Sequence, residues 1–136
     1  MKPDPDYLRS LLDVLQASPS PWPSIAYLRE SGIEPNEHML FHLQLLSDGE
    51  FVQPVNTDGN FGFREFGGEV SWQNAYLRLT AQGHEFIEAL DMKEVWDVIK
   101  SQFHGASLKT LFHVGRAMVD GYVRETVKKY VGDIKI

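Results

Sequence analysis

Cysteine is absent from the 136-residue chain, which excludes a disulfide framework, a thiolate zinc site and a cysteine nucleophile together. The chain therefore suits a reducing cytoplasm. No apolar run approaches the roughly 18 residues that a membrane span needs. The opening MKPDPDYLRS carries two prolines and two acids, unlike the basic and then apolar start of a secretory signal. A soluble, cytoplasmic protein with no membrane partner is expected. Phosphate-loop signatures are missing too, since there is neither a GxxxxGK loop nor a GxGxxG opening a helix, and no serine sits in a GxSxG elbow. No enzymatic activity, catalytic residue or cofactor is expected.

Positive charge is scarce in one half. Residues 1–63 hold three basic side chains, Lys2, Arg9 and Arg29, against nine acids, whereas residues 64–136 hold ten of each, so the N-terminal half carries the whole net charge of −6. No lysine or arginine occurs between Arg29 and Arg64. Any helix in that gap lacks the cations that grip a phosphate backbone.

What is present points to one mixed domain. In YLRLTAQGHEFIEALDMKEVW, residues 76–96, Tyr76 to Leu79 alternate as a half-buried strand does, and from Thr80 the apolar period becomes helical through Phe86, Ile87 and Leu90. Thr80 is a helix N-cap, and Gly83 removes a side chain where strand and helix cross. Upstream, Asp4-Pro5 starts a helix ending near Ala17, with Tyr7, Leu8, Leu11, Leu12 and Leu15 on its apolar face. Ser18 to Ser24 is a stiff proline-rich loop in which Trp22 covers a core edge. A short helix from Ser24 to Ser31 ends at Gly32, and Pro35 opens the next, which runs to Asp48 and buries Met39, Leu43 and Leu46. Phe51 to Val55, with Pro54 at an edge position, and Glu69 to Leu79 are the strands of a wing joined by a turn at Thr57-Asp58-Gly59-Asn60. The order predicts a mainly α, α+β fold: a winged helix-turn-helix core over residues 1–104, with a wing hairpin at about 51–79.

The C-terminal part, 105–136, reads as a helical extension. Asp91 and Glu94 form a capping-box pair for a helix from Met92 to about His104 with Val95, Trp96, Ile99 and Phe103 inward, and Ser107 caps a last helix from Leu108 to about Tyr130. At 1.5 Å per residue that helix reaches about 35 Å, more than one small domain needs. Its apolar residues, among them Leu111, Met118, Tyr122 and Val123, predict a homodimer through this helix, the alternative being a helix wrapped on its own domain. Gly115 and Gly121 each cost about 1 kcal/mol relative to alanine in a helix, which signals a close crossing or a kink.

Leu79-Thr80, Gly83-His84-Glu85-Phe86 and Val95-Trp96, with Phe41-His42-Leu43-Gln44-Leu45-Leu46 upstream and Gly105-Ala106-Ser107-Leu108 downstream, resemble an uncharacterised bacterial and phage family, the domain of unknown function numbered 2513. The LTxxGHxF segment is the specific part, and the similarity covers nearly the whole chain at low density. The resemblance implies a winged-helix core and frequent residence in prophages, with no established reaction or partner. The proline-rich loop and the long wing, Thr57 to Trp72, depart from the family pattern.

Three constellations bear on function. His38 and His42 stand four apart on one helix face, a spacing that can hold zinc, but they lack a third ligand, so a structural histidine is the preferred reading. FGFREFGG places Phe61, Phe63 and Phe66 around Arg64 between glycines. With Glu37 and His38 these form a candidate surface for an unknown protein partner, the aromatics folding over the sheet as a satellite core being the equal alternative. Asn36, Gln44, Arg64 and Arg78 are the candidate contacts if the protein binds DNA instead, supplemented by Lys109, Arg116, Arg124, Lys128 and Lys129. A non-catalytic regulatory or interaction module acting through protein contacts is expected, with DNA-binding transcriptional regulation as the alternative.

Overall fold

A computed structural model describes residues 1–132. Its elements follow in the order α1 (Pro5–Gln16), α2 (Ile25–Glu30), α3 (Glu37–Asp48), β1 (Val52–Val55), β2 (Phe63–Phe66), β3 (Glu69–Trp72), β4 (Tyr76–Leu79), α4 (Ala81–Asp91), α5 (Lys93–Gln102) and α6 (Leu108–Gly132). The fold is mixed α+β, with six helices and two small antiparallel sheets among the described residues. Residues 133–136 of the expected extension lie outside the described residues. No helix among those described is long and apolar enough to cross a membrane.

The first two helices start where their caps require. The Asp4 carboxylate accepts from the amides of Asp6 and Tyr7, at 3.0 and 3.3 Å, with Pro5 in the first turn. Ser24 accepts from the Tyr27 amide, and Gly32 takes the left-handed conformation past the end of α2, at φ 95°. In contrast, α3 does not open at Pro35. Asn36 is extended and accepts from the Met39 amide at 3.0 Å, so the helix begins at Glu37. Asparagine is among the strongest caps, whereas a start at Pro35 would have needed Glu34 in that role.

Strand β4 lies between two neighbours. On one side it pairs antiparallel with β1, Val52 opposite Leu79 and Val55 opposite Tyr76. On the other, Ser24 bridges to Tyr76, with the Leu77 amide donating to Pro23 O and the Ile25 amide to Ala75 O. Strand β1 pairs with β4 alone, which is where Pro54 is tolerated. The loop at Pro23 docks through its backbone, and Trp22 is consequently turned outward at 56 % exposure; it does not cover a core edge.

The expected single wing hairpin over 51–79 is two structures. Strands β2 and β3 pair with each other, Phe63 opposite Trp72 and Phe66 opposite Glu69, and do not join the β1–β4 sheet. Gly67 and Gly68, at φ 62° and 85°, form the two-residue turn, the geometry that matches the twist of a hairpin. Glu69 to Leu79 is therefore broken at Gln73 to Ala75, where the Gln73 amide donates to Gly62 O.

The strand-to-helix switch stands as expected. Thr80 Oγ1 accepts from the Gly83 amide at 3.0 Å, and a Cβ on Gly83 would run into the Phe51 carbonyl and the Leu79 side chain. The capping box at Asp91 and Glu94 does not form: Asp91 is the last residue of α4, its carboxylate 3.8 Å from Arg9, and Met92 precedes α5 with no side-chain cap. A residue already inside one helix lacks the extended backbone a cap needs. Leu108, Leu111 and Gly115 bury the first part of α6 in the shared core, and Gly115 lets α6 approach Ala89, whose Cβ lies 3.1 Å from where a side chain would start.

The helical glycines at residues 83 and 121 should respond oppositely to alanine. Gly83→Ala is expected to lose about 1–3 kcal/mol through overpacking against backbone. Gly121→Ala, where an added Cβ meets nothing within 4 Å, is expected to gain up to about 1 kcal/mol. Urea unfolding midpoints of both variants check this.

Candidate functional site

Residues Glu37, Leu40 and Gln44 recur at helical spacing on one face of α3, and that face looks across at the β2–β3 hairpin. Together with Asn60, Phe63, Arg64, Glu65 and Val70 they line a groove of about 540 Å³. Gln44 Nε2 donates to Asn60 Oδ1 at 3.2 Å and ties the two walls. Asp58 organises the loop below: its side chain accepts from the Asn60 amide at 3.0 Å and lies 3.3 Å from Arg64. Arg64 also donates to its neighbour's carbonyl, Phe63 O, at 2.8 Å. The groove thus has an apolar floor at Leu40, Phe63 and Val70 and a rim with Glu37 and Glu65, while its one cation already faces a carboxylate. A second cleft, of about 520 Å³, lies between the end of α3 and the starts of α4 and α6, over Leu45, Phe51, Leu108 and Phe112.

The residues nominated from sequence separate into groups. Glu37 and Arg64 share the groove, with Gln44 beside them. Phe61 and Phe63 are 0 % and 1 % exposed: Phe61 is core and not a surface contact, since it sits at φ 53° before a glycine packed under Gln73, whereas Phe63, paired with Trp72, belongs to the core and also closes the floor of the groove. Phe66 alone remains outside, 89 % exposed beside the Gly67-Gly68 turn. His38 faces away from the groove, its ring 4.2 Å from Tyr7 and 4.4 Å from His42.

Of the candidate DNA contacts, Asn36 caps α3, Gln44 bonds Asn60, and Arg64 faces Asp58. Arg78 lies on β4, away from the groove, and donates to Gln53 Oε1 at 2.7 Å. Arg116 on α6 faces Glu85 and Asp120 at 3.7 and 3.8 Å. Of the four residues assigned to a dimer seam, Leu111 is 1 % exposed within its own core and Met118 packs against it, whereas Tyr122 and Val123 are open. Sequence reasoning missed Leu40, Asn60, Glu65 and Val70. The available signal was FREF-GG-EVSW, two alternating tetrads about a double glycine, which is a hairpin pattern.

His42 is fully buried, and both ring nitrogens are committed. Nδ1 donates to His38 O at 2.8 Å, which leaves Nε2 to accept from the Asp4 amide at 3.0 Å. The amide of a helix cap is thereby satisfied by a histidine on another helix, locking α1 to α3. This tautomer is neutral and leaves no nitrogen lone pair for a metal. Burial lowers the His42 pKa from its ordinary value, against the bond to His38 O, which raises it, with the charge of His38 lowering it and that of Asp4 raising it. Burial pushes the Tyr7 phenol beside it up to about 12.

No protein-family model, curated protein or solved structure matches this chain.

The histidine has a stated pH consequence. Its folded pKa is depressed, so the unfolded chain binds the proton more readily, and stability rises with pH through that window. The contribution is present above the unfolded value of about 6.5 and is lost as pH falls from there through the folded pKa. Urea midpoints should decline from pH 7 to pH 5, and His42→Gln, which retains an acceptor for the Asp4 amide, should flatten that decline.

Proposed function

We propose that the protein is a non-catalytic winged helix-turn-helix module whose α3–hairpin groove docks a protein segment carrying one apolar side chain flanked by basic residues. The winged-helix assignment is supported by the succession α2, turn, α3 and then the β1–β4 pair, with Ser24 bridging β4 on its other edge. A regulatory, prophage-associated setting is proposed solely on the resemblance at Leu79-Thr80 and Gly83-His84-Glu85-Phe86.

One observation carries the choice of partner: the exposed side of α3 presents Glu37 and Asp48 with partly open Leu40 and Phe41, and no cation. Phosphate contacts supply most non-specific affinity for DNA, and an acidic face repels a polyanion. Asn36 and Gln44, the side chains best suited to adenine edges, are already hydrogen-bonded within the chain. A basic segment, by contrast, meets Glu37 and Glu65 at the rim while its apolar anchor reaches Leu40 and Val70. Complementarity of this kind sets partner choice and association rate more than affinity, which suits a reversible contact.

Panning a displayed random-peptide library on the protein should enrich sequences with an apolar residue between lysines or arginines, and the Glu37→Lys/Glu65→Lys variant should bind them at least about tenfold more weakly. Random duplex DNA at about 50 mM salt should not be retained, since binding there reports the phosphate term at near its strongest. Retention of the duplex with a steep loss on adding salt, or peptides indifferent to the charge reversal, would overturn the reading.

A further inference from the structure

The first part of α6 has its partners inside the domain: Leu108, Leu111 and Gly115 are buried, and Met118 and Val119 pack partly against the core. Past that point the helix continues to Gly132 while its apolar positions lose cover. Tyr122, Val123, Val127, Tyr130 and Val131 are between 49 and 72 % exposed. Val119, Val123, Val127 and Tyr130, spaced four, four and three residues, lie along one flank, so the packed stripe runs on into solvent. The overhang also carries a charge gradient. Asp120, whose charge the Arg116 guanidinium 3.8 Å away partly offsets, stands at its inner end, Lys128 and Lys129 stand at its outer end, and the adjacent Arg124 and Glu125 offset each other between them.

We propose that two copies of this chain associate through this overhang, antiparallel, about a twofold axis passing near residue 125, with Val123 of each copy against Val127 of the other. The apolar flank fixes the register. Val119, Val123, Val127 and Tyr130 have their midpoint near residue 125, so an antiparallel pairing centred there sets each copy's open valines against those of the other. Charge fixes the direction. The antiparallel arrangement sets Asp120 near the Lys128–Lys129 end of the other helix and beside the hydroxyl of Tyr130, whereas a parallel one stacks like charge on like. A second copy meets both conditions by construction, which is the basis for choosing it over a foreign helix. The seam is about 20 Å long at 1.5 Å per residue, short of a standard interface of about 800 Å² per partner, so the proposed dimer is a reversible one. It is independent of what the α3–hairpin groove binds.

Sedimentation equilibrium from about 1 to 200 µM should show the mass doubling. Val123→Glu and Val127→Glu should each remain monomeric throughout, with helical circular dichroism unchanged. Because the chain has no cysteine, Thr126→Cys supplies a single thiol close to the axis, and a short bismaleimide should link two copies. Val131→Cys places the two thiols about 18 Å apart along the seam at 1.5 Å per residue and should not be linked. A wild-type protein monomeric at every concentration, a dimer that survives both glutamate substitutions, or crosslinking at residue 131 as well as 126 would each overturn the proposal.

Discussion

Three consecutive carbonyls in the turn after α3 decide where everything else sits. Gly49 O accepts from Gln82 Nε2, Glu50 O from the Thr80 hydroxyl, and Phe51 O from the Thr80 amide. The turn holds Glu50 at φ 63°, a left-handed conformation that costs an ordinary residue about 1–2 kcal/mol. Neighbours must therefore over-determine it, and the start of α4 does so. The same Thr80 hydroxyl caps α4, so one side chain ends the helix-to-strand turn and begins the strand-to-helix turn. Gly83 is the steric condition for the closeness, since any side chain there would displace the Phe51 carbonyl. With that turn fixed, α3 leaves the sheet at one angle, and its outer face meets the hairpin.

The functional reading follows from which side of α3 remains available. One side goes inward with Met39, Leu43 and Leu46, and a second is tied to α1 through His42 and the Asp4 amide. What is left faces the β2–β3 hairpin and carries acids and aliphatics. The hairpin supplies Arg64, but the nearby Asp58 offsets its charge. A helix in this position usually meets a nucleic acid through excess positive charge. Here the exposed charged side chains of α3 are Glu37 and Asp48, both acidic, and this motivates the proposal of a cationic protein segment. The exposed run of α6 is a separate surface, differing in both chemistry and proposed occupant.

The parts of the fold legible in the sequence were those set by neighbours in the chain. Asp4-Pro5 and Thr80-Gly83 each carry their own capping chemistry, and each stands where local reasoning puts it. Three phenylalanines within six residues show where such reasoning stops. Phe61, Phe63 and Phe66 share a glycine-rich segment, yet two are buried and one is almost wholly exposed. Only strand pairing and contacts with Gln73 and Ala75 separate them. His42 could be placed on a helix face with His38, but its decisive partner is an amide 38 residues away. The apolar stripe of α6 was visible too. Its division at about residue 119 into a packed and an open part depends on where α4 and α5 end.

The central claim, that the α3–hairpin groove receives a basic protein segment and not a phosphate backbone, is tested most directly by amide chemical shifts of the labelled protein. A peptide with one leucine set among lysines and arginines should move the resonances of Leu40, Gln44, Asn60 and Val70, and random duplex DNA at the same concentration should leave them in place. Shifts along α3 on adding the duplex, with none from the peptide, would contradict it.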